Sequence, residues 1–294
     1  MLSLRDVSKT YRVGSFGRGE LQAVRNVTFD VHPGEVLSLI GESGSGKTTI
    51  GRMILRLVPV NGGTISCDDV DIATLHRQAL KEYYRRVQGV FQDPFSSYNP
   101  IFKIDRIFAM VRSEFFPRVD AKTWAAKLDA ALEAVSLNPG DVLGKYPHQL
   151  SGGQLQRLLV ARALLLDIRY FVADEIISML DASTRIDVLN LLADLKARGL
   201  GIVFITHDLS LGNYISDTTV ILRRGCVVEM GATEKVFGDP RHSYTKSLLA
   251  SVPLLHAKWT PSDEHEAAQD GRLALTGPAP ELVAIADDHL VAAG

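Results

Sequence analysis

The chain has 294 residues, of which 46% are hydrophobic and 22% are charged, and its formal net charge is −2. This length accommodates one large α/β domain or two smaller ones, and the composition is that of an ordinary globular protein. The charge balance gives no reason to expect nucleic acid or an anionic membrane as the main partner.

The sequence also favours a cytoplasmic protein. It contains no apolar run long enough to cross a bilayer, and its N-terminus lacks the features of a signal peptide. Its two cysteines, Cys67 and Cys226, have no metal-ligand spacing and are too few for a disulfide framework. Any membrane association is therefore expected to come through a partner protein.

The N-terminal residues predict antiparallel β-structure. Residues 2–31 alternate apolar and polar positions around a glycine-rich break at 14–19, and residues 24–31 form the clearest strand. Tyr11 lies just before the break. An exposed aromatic ring there could stack on adenine, although the residue alone is more simply interpreted as part of a strand.

Residues 41–49 carry the strongest motif of the chain. They follow a short apolar run at 35–40 and precede residues with helical spacing, which is the setting that a phosphate-binding loop requires. Glycines let backbone N–H groups face a phosphate, Lys47 supplies positive charge to the β- and γ-phosphates, and the Thr48 hydroxyl can ligate Mg²⁺. The predicted nucleotide-binding residues here are Gly41, Glu42, Ser43, Gly44, Ser45, Gly46, Lys47, Thr48 and Thr49.

A helical insertion is predicted next. Residues 87–92 indicate a strand that ends at Gln92, and the pattern is helical from Pro100 to about Leu143. We expect the inserted helical subdomain to cover about residues 95–165. The clearest amphipathic helix covers residues 124–135, and we expect Asn138-Pro139-Gly140 to stop it.

The segment Leu150-Ser151-Gly152-Gly153-Gln154 leads into another apolar helix. Ser151 is a suitable N-cap, and the two glycines leave backbone amides accessible at the helix start. A helix N-terminus of this kind can bind an anion.

Two further strands end in polar residues. The strand at 169–173 delivers Asp174 and Glu175, and the strand at 201–206 delivers His207. Ligands bind at the carboxyl ends of strands in open α/β sheets. Beside a phosphate loop, Asp174 is better interpreted as a metal-organising residue and Glu175 as a general base than as a solvated turn. His207 alone would more often be structural, but its position places it with these candidates.

Strands and helices alternate from residue 35 to residue 225, which favours a parallel, right-handed α/β core. Asp181 opens one of these helices.

The composition changes after Pro253. Residues 260–266 indicate a polar linker, and residues 254–294 as a whole indicate a small C-terminal extension.

In this order, the motifs resemble those of the nucleotide-binding subunit of ATP-binding-cassette (ABC) transporters over residues 1–253. The Leu-Ser-Gly-Gly-Gln element is that family's own signature. Residues 92–100 and 239–249 resemble segments of the oligopeptide, dipeptide and nickel importer ATPases, a group in which some members import oligosaccharides. The resemblance implies a P-loop NTPase (RecA-like) parallel-sheet core, an N-terminal antiparallel β subdomain, an inserted α-helical subdomain and a small C-terminal extension.

The resemblance also implies roles for single residues. Tyr11 would stack on adenine, and Gln92 would approach both Mg²⁺ and the attacking water. Asp174 would hold Mg²⁺ through its water shell, Glu175 would polarise the water, and His207 would contact the γ-phosphate. ATP and Mg²⁺ are the implied cofactors. Ser151, Gly153 and Gln154 would close over ATP bound to a second cassette, with Gly152 in the same nucleotide-binding segment, and Asp181 would lie at that interface.

The implied partners are a second ABC ATPase subunit, two transmembrane permease subunits and, indirectly, an extracytoplasmic solute-binding protein. The importer group favours a heterodimer of cassettes, with a homodimer as the alternative. The chain would then act at the cytoplasmic face of the cell membrane, without nucleic acid. Phe95, Tyr98 and Phe102 are expected to receive a permease helix or to belong to the local core.

The chain departs from the family pattern in three places. Ile176 stands where proline usually follows the catalytic glutamate, and Tyr98 stands where leucine is common. The C-terminal extension has no cysteine, so no iron–sulfur cluster is expected.

A soluble assembly ATPase, such as a phosphonate-degradation subunit, is the alternative function. A non-hydrolysing regulator would need a damaged catalytic set, whereas Lys47, Asp174, Glu175 and His207 are all present.

Overall fold

The computed structural model describes residues 1–13, 19–178, 180–251 and 279–293. Within these residues the strands are β1 (Leu2–Val13), β2 (Gly19–Val31), β3 (Val36–Ile40), β4 (Gly62–Cys67), β5 (Val70–Asp71), β6 (Val87–Val90), β7 (Tyr170–Asp174), β8 (Gly201–Thr206), β9 (Thr218–Arg223), β10 (Cys226–Ala232), β11 (Leu282–Ala286) and β12 (His289–Ala292). The helices are α1 (Lys47–Ile54), α2 (Arg77–Arg86), α3 (Asp105–Phe115), α4 (Ala121–Glu133), α5 (Pro139–Val142), α6 (Gly152–Leu164), α7 (Ala182–Ala197), α8 (Leu209–Ile215), α9 (Thr233–Gly238) and α10 (Ser243–Ala250).

The larger sheet has eight strands in the order β11-β12-β10-β9-β3-β8-β7-β6. Strands β9, β3, β8, β7 and β6 run parallel, whereas β10, β12 and β11 continue the sheet in antiparallel pairing. The predicted parallel α/β core is therefore confirmed, and its carboxyl edge brings the ends of β3, β7 and β8 together.

Both faces of the parallel region are buried. In β7, Phe171 and Ala173 pack into a cluster with the helices from α3 to α7, whereas Tyr170 and Val172 pack into a second cluster with α1 and the N-terminal strands. This alternation follows from the two-residue period of a strand, and burial of both faces explains the nearly continuous apolar runs.

The smaller sheet is antiparallel, in the order β2-β1-β4-β5. It confirms the predicted N-terminal β-structure. Residues 14–18 of the predicted glycine-rich break lie outside the described residues.

Helices α3 to α6 fill the region between residues 105 and 164. The predicted end of the amphipathic helix was wrong, because α4 already ends at Glu133 and Ser136 adopts a left-handed φ of 54°. The segment Asn138-Pro139-Gly140 instead begins α5. The Asn138 side chain accepts a hydrogen bond from the Gly140 amide, and Pro139 occupies the first helical position, where proline is favoured.

The described part of the predicted C-terminal extension, residues 279–293, adds β12 and β11 beside β10. The expected boundary at 253/254 and the expected linker at 260–266 lie outside the described residues. Among the described helices, none combines the length and the apolar character that a membrane span requires.

Candidate active site

A cavity of about 760 Å³ opens at the carboxyl ends of the parallel strands, where the phosphate loop follows β3. It brings together residues from the N-terminal sheet, the phosphate loop, the ends of β7 and β8, and α10. The lining residues are Tyr11, Leu21, Ala23, Gly41, Glu42, Ser43, Gly44, Gly46, Lys47, Thr48, Thr49, Gln92, Glu175, His207, Leu209, Leu248 and Ser251.

The phosphate loop requires glycine where it passes under β2. Gly46 has a φ of 103°, and a Cβ atom added there would lie 2.4 Å from the carbonyl oxygen of Ala23. Any other residue would therefore strain the backbone and also collide with β2. This close approach places the start of α1 directly beneath the N-terminal sheet.

The Lys47 ammonium group lies within the phosphate loop. Its Nζ donates hydrogen bonds to the carbonyl oxygens of Gly41 at 2.7 Å and Glu42 at 2.8 Å, and to Ser45 Oγ at 3.3 Å. Burial lowers the pKa of Lys47, and nearby carboxylates oppose this effect. The loop thus holds a buried positive charge next to a wall of backbone amides, an arrangement suited to phosphate.

Asp174 ends β7 and is only 3% exposed. The Thr48 hydroxyl donates a hydrogen bond to Asp174 Oδ1 at 3.1 Å. Burial raises the pKa of Asp174 to about 6, because the carboxylate is removed from water. A hydroxyl and a carboxylate side by side are the oxygen ligands that Mg²⁺ prefers, so these two residues fit the predicted metal.

Glu175 and His207 meet across the ends of β7 and β8. His207 Nδ1 lies 3.1 Å from Glu175 Oε1. The Glu175 side chain is 19% exposed and lines the cavity, so water can reach its carboxylate. The Glu175 backbone has a left-handed φ of 50°, and its amide donates to the Ile205 carbonyl oxygen at 2.9 Å. A strained backbone that is fixed in this way is typical of functional sites.

The remaining predicted residues of the cavity are Tyr11 and Gln92, and both line it. The Lys9 ammonium lies 5.3 Å from the centre of the Tyr11 ring. The sequence did not identify the other lining side chains, which come from β2, α8, α10 and the residue that follows α10. They are Leu21, Ala23, Leu209, Leu248 and Ser251.

The signature segment begins α6 with a capping box. Ser151 Oγ accepts a hydrogen bond from the Gln154 amide at 3.2 Å, and Gln154 Oε1 accepts one from the Ser151 amide at 3.0 Å. None of the residues Ser151, Gly152, Gly153 and Gln154 belongs to the described lining of the cavity.

The signature segment packs instead against the start of α7. A Cβ atom added at Gly153 would lie 2.7 Å from Thr184 Cγ2, so α6 and α7 approach closely. Asp181 caps α7 and accepts hydrogen bonds from the Thr184 amide at 2.9 Å and from the Thr184 hydroxyl at 3.0 Å. The signature segment and Asp181 therefore lie together and apart from the cavity.

The departures from the family pattern have structural explanations. Ile176 is 1% exposed and fills the cluster between the sheet and the helices. Tyr98 is also buried, and its hydroxyl donates to the Leu155 carbonyl oxygen at 2.9 Å. Phe95 and Phe102 are exposed, so of these three aromatic residues only Tyr98 belongs to the local core.

Comparison with known proteins identifies the family. The sequence model of the ABC transporter family matches residues 24–178, and that of the oligopeptide/dipeptide transporter C-terminal region matches residues 228–275. A putative peptide import ATP-binding protein of Brucella ovis is 42% identical over 257 residues, covering 86% of this chain and 78% of the relative. The oligopeptide transport ATP-binding protein OppF of Streptococcus mutans is 38% identical, covering 90% and 88% of the two chains.

Among solved structures, the ATP-binding cassette MJ0796, a dimer in a post-hydrolysis state with ADP and Pi, is similar with a TM-score of 0.71 and 26% identity. The match covers 79% of this chain and 99% of that one. With a matching family model over more than half of its length and relatives of this similarity, the chain belongs to the ABC transporter family, as one of its ATPase cassettes.

Proposed function

We propose that this chain is the ATP-hydrolysing subunit of an importer that carries peptides or a related small solute, such as an oligosaccharide or a nickel chelate. One observation carries the proposal. A single cavity is lined by the phosphate loop with Lys47 and Thr48 and by the Glu175–His207 pair, and Asp174 accepts a hydrogen bond from Thr48 beside it.

Each group has a task that suits its environment. Lys47 and the loop amides bind the β- and γ-phosphates of ATP, and Tyr11 stacks on the adenine. Thr48, Asp174 and Gln92 would hold Mg²⁺, which neutralises charge on these phosphates when bound.

Glu175 accepts the proton of the attacking water as the general base. His207 holds the Glu175 carboxylate in place through their contact and reaches the γ-phosphate. Gln92 orients the water, and its exposed side chain at the cavity leaves it room to do so.

The position of the signature segment supports a dimer of cassettes. Ser151, Gly152, Gly153 and Gln154 lie outside the cavity of their own chain, so they serve ATP bound to a second ABC ATPase subunit, with Asp181 beside them. The N-terminus of α6 attracts an anion, so the closed dimer is stable only while the γ-phosphate is present. We favour a heterodimer, with a homodimer as the alternative.

The proposed cargo follows the names of the relatives. The B. ovis and S. mutans proteins are named for peptide import and oligopeptide transport, and the family model that matches residues 228–275 is that of the oligopeptide/dipeptide transporter C-terminal region. Two permease subunits would bind the cassettes at the cytoplasmic face of the cell membrane, where Phe95 and Phe102 offer exposed aromatic surface. An extracytoplasmic solute-binding protein would deliver the cargo.

The test is ATP hydrolysis by the full chain co-purified with its permease subunits. We expect Glu175→Gln to lower kcat by about 10²- to 10⁴-fold while ATP binding persists, because a general base contributes about this much. Glu133→Gln removes the same charge from an exposed site on α4 and should leave kcat unchanged.

Equal activity of the wild type and Glu175→Gln would show that Glu175 is not the base. If no permease subunit co-purifies with the chain, the importer role is wrong and a soluble assembly ATPase becomes the function to pursue.

A further inference from the structure

Helix α10, which lies about 200 residues after the phosphate loop in the sequence, contacts that loop in the fold. Leu248 and Ser251 line the cavity, and the Glu42 amide donates a hydrogen bond to the Tyr244 hydroxyl at 3.2 Å. We propose that Tyr244 is a positioning residue of the nucleotide site, which fixes the phosphate loop and, through Glu42, the Lys47 ammonium. This inference rests on the ATP-binding function proposed above.

Glu42 is held on both sides of its backbone. Its N–H group donates to Tyr244, and its carbonyl oxygen accepts a hydrogen bond from Lys47 Nζ at 2.8 Å. A shift of this residue therefore moves the oxygen that helps to place the ammonium. Because Lys47 supplies positive charge to the phosphates, the contact of Tyr244 with Glu42 influences nucleotide affinity without touching the nucleotide.

The Tyr244 ring is itself held firmly. It is 7% exposed, and the Arg223 guanidinium lies 4.9 Å from the ring centre, within the range of a cation–π contact. Burial raises the pKa of Tyr244, so its hydroxyl stays neutral at physiological pH. A neutral, fixed hydroxyl is a suitable acceptor for a backbone amide.

The start of α10 is anchored to the C-terminal strands. His242 caps α10, and its Nδ1 accepts the Tyr244 amide at 3.0 Å. Glu229 on β10 is fully buried and accepts the amides of Arg241 at 2.8 Å and His242 at 3.0 Å. His289 Nε2 on β12 lies 2.8 Å from Glu229 Oε1. A continuous set of contacts therefore runs from the C-terminal strands to the phosphate loop.

Tyr244→Phe tests the inference, because it removes the hydroxyl and keeps the ring beside Arg223. Tyr83→Phe is the matched control. Tyr83 is also buried, and its hydroxyl donates to the Ile54 carbonyl oxygen at the far end of α1. Each variant removes one hydrogen bond made by the hydroxyl of a buried tyrosine, but of the two only Tyr244 contacts the phosphate loop.

The measurements are the dissociation constant of the full chain for ATP, KM and kcat of the permease complex, and the unfolding midpoint without nucleotide. We expect Tyr244→Phe to raise the dissociation constant and KM by about 2- to 10-fold, the effect of one neutral hydrogen bond, with kcat within twofold of wild type. Tyr83→Phe should lower the unfolding midpoint and leave both constants unchanged.

The inference is overturned if Tyr244→Phe leaves the ATP affinity unchanged, or if Tyr83→Phe changes it equally. In either case, if the wild type binds and hydrolyses ATP, the proposed function is not contradicted. A wild type that does not bind ATP contradicts the proposed function as well, so the two failures are distinguishable.

Discussion

Replacing Asp174 with asparagine should make the protein more stable and less active. The carboxylate is 3% exposed, and its pKa is raised from 3.8 to about 6 by burial. As pH rises, the Asp174 carboxyl group ionises first in the unfolded state, at its ordinary pKa, and in the folded state it ionises only near pH 6. The folded protein therefore loses stability between about pH 4 and pH 6 and does not regain it above that range.

The magnitude follows from linkage. With these two pKa values, the ionisable group costs the folded state about 1.6 kcal/mol at pH 5 and about 3 kcal/mol at pH 8. Asparagine carries no such cost, and its side-chain oxygen can still accept the Thr48 hydroxyl. The free energy of unfolding of Asp174→Asn should exceed that of the wild type by these amounts.

The assay is urea unfolding of the full chain at pH 5 and pH 8, without nucleotide and with a chelator. Asp129→Asn, at an exposed position of α4, is the control and should change the free energy of unfolding by less than about 0.5 kcal/mol at both values. ATP hydrolysis by Asp174→Asn should fall, because the carboxylate that would hold Mg²⁺ is lost. A buried charge that serves activity commonly lowers stability in this way. A variant that is less stable at pH 8, or a difference that does not grow from pH 5 to pH 8, would refute the reasoning.

Three further changes test other parts of the structure. Gly46→Ala should lower the free energy of unfolding by about 2 to 4 kcal/mol in urea, since it strains a positive φ and collides with β2, whereas Gly44→Ala, with open space around it, should cost only about 1 kcal/mol. Burial alone would raise the pKa of Glu229, but its hydrogen bonds outweigh this effect and lower the pKa, so the free energy of unfolding of the wild type should decrease as pH falls below about 4.5. In urea unfolding at pH 5 and pH 3, the decrease should be smaller for Glu229→Gln than for the wild type. Gly153→Ala should push against Thr184 and reduce hydrolysis in the permease complex, with ATP affinity of the isolated chain within twofold of wild type; a matching loss of affinity would contradict the separation of the signature segment from the cavity.

The sequence predicted the parts of the site that depend on short stretches of chain. The phosphate loop was recognisable because strand, glycine loop and helix adjoin one another around Lys47. Glu175 and His207 were predicted to lie together because parallel strands present their carboxyl ends at one edge, and their side chains do meet at 3.1 Å. The fold class followed from the alternation of strands and helices.

Other parts of the site depend on contacts between distant residues. The Tyr244 hydroxyl meets a residue 202 positions earlier, and no local pattern indicates that α10 forms a wall of the cavity. Leu21 and Ala23 enter the cavity because β2 passes over the phosphate loop, which depends on how the two sheets pack. The early end of α4 was missed because the left-handed Ser136 carries no glycine or asparagine signal.

The two groups of functional residues are separated in a way that bears on coupling. Most of the residues that would hold and attack ATP line one cavity, whereas the signature segment approaches the start of α7 at Gly153, next to Thr184, which Asp181 caps. Glu175 and Asp181 are joined by one short segment, so the cavity edge and the cap of α7 are close along the chain. The hydrogen bonds from Arg185 to the carbonyl oxygens of Ser178 at 3.3 Å and Leu180 at 2.8 Å restrain this segment. Under the proposed function, the short connection between Glu175 and Asp181 therefore links the site of hydrolysis to the surface that would meet the second cassette.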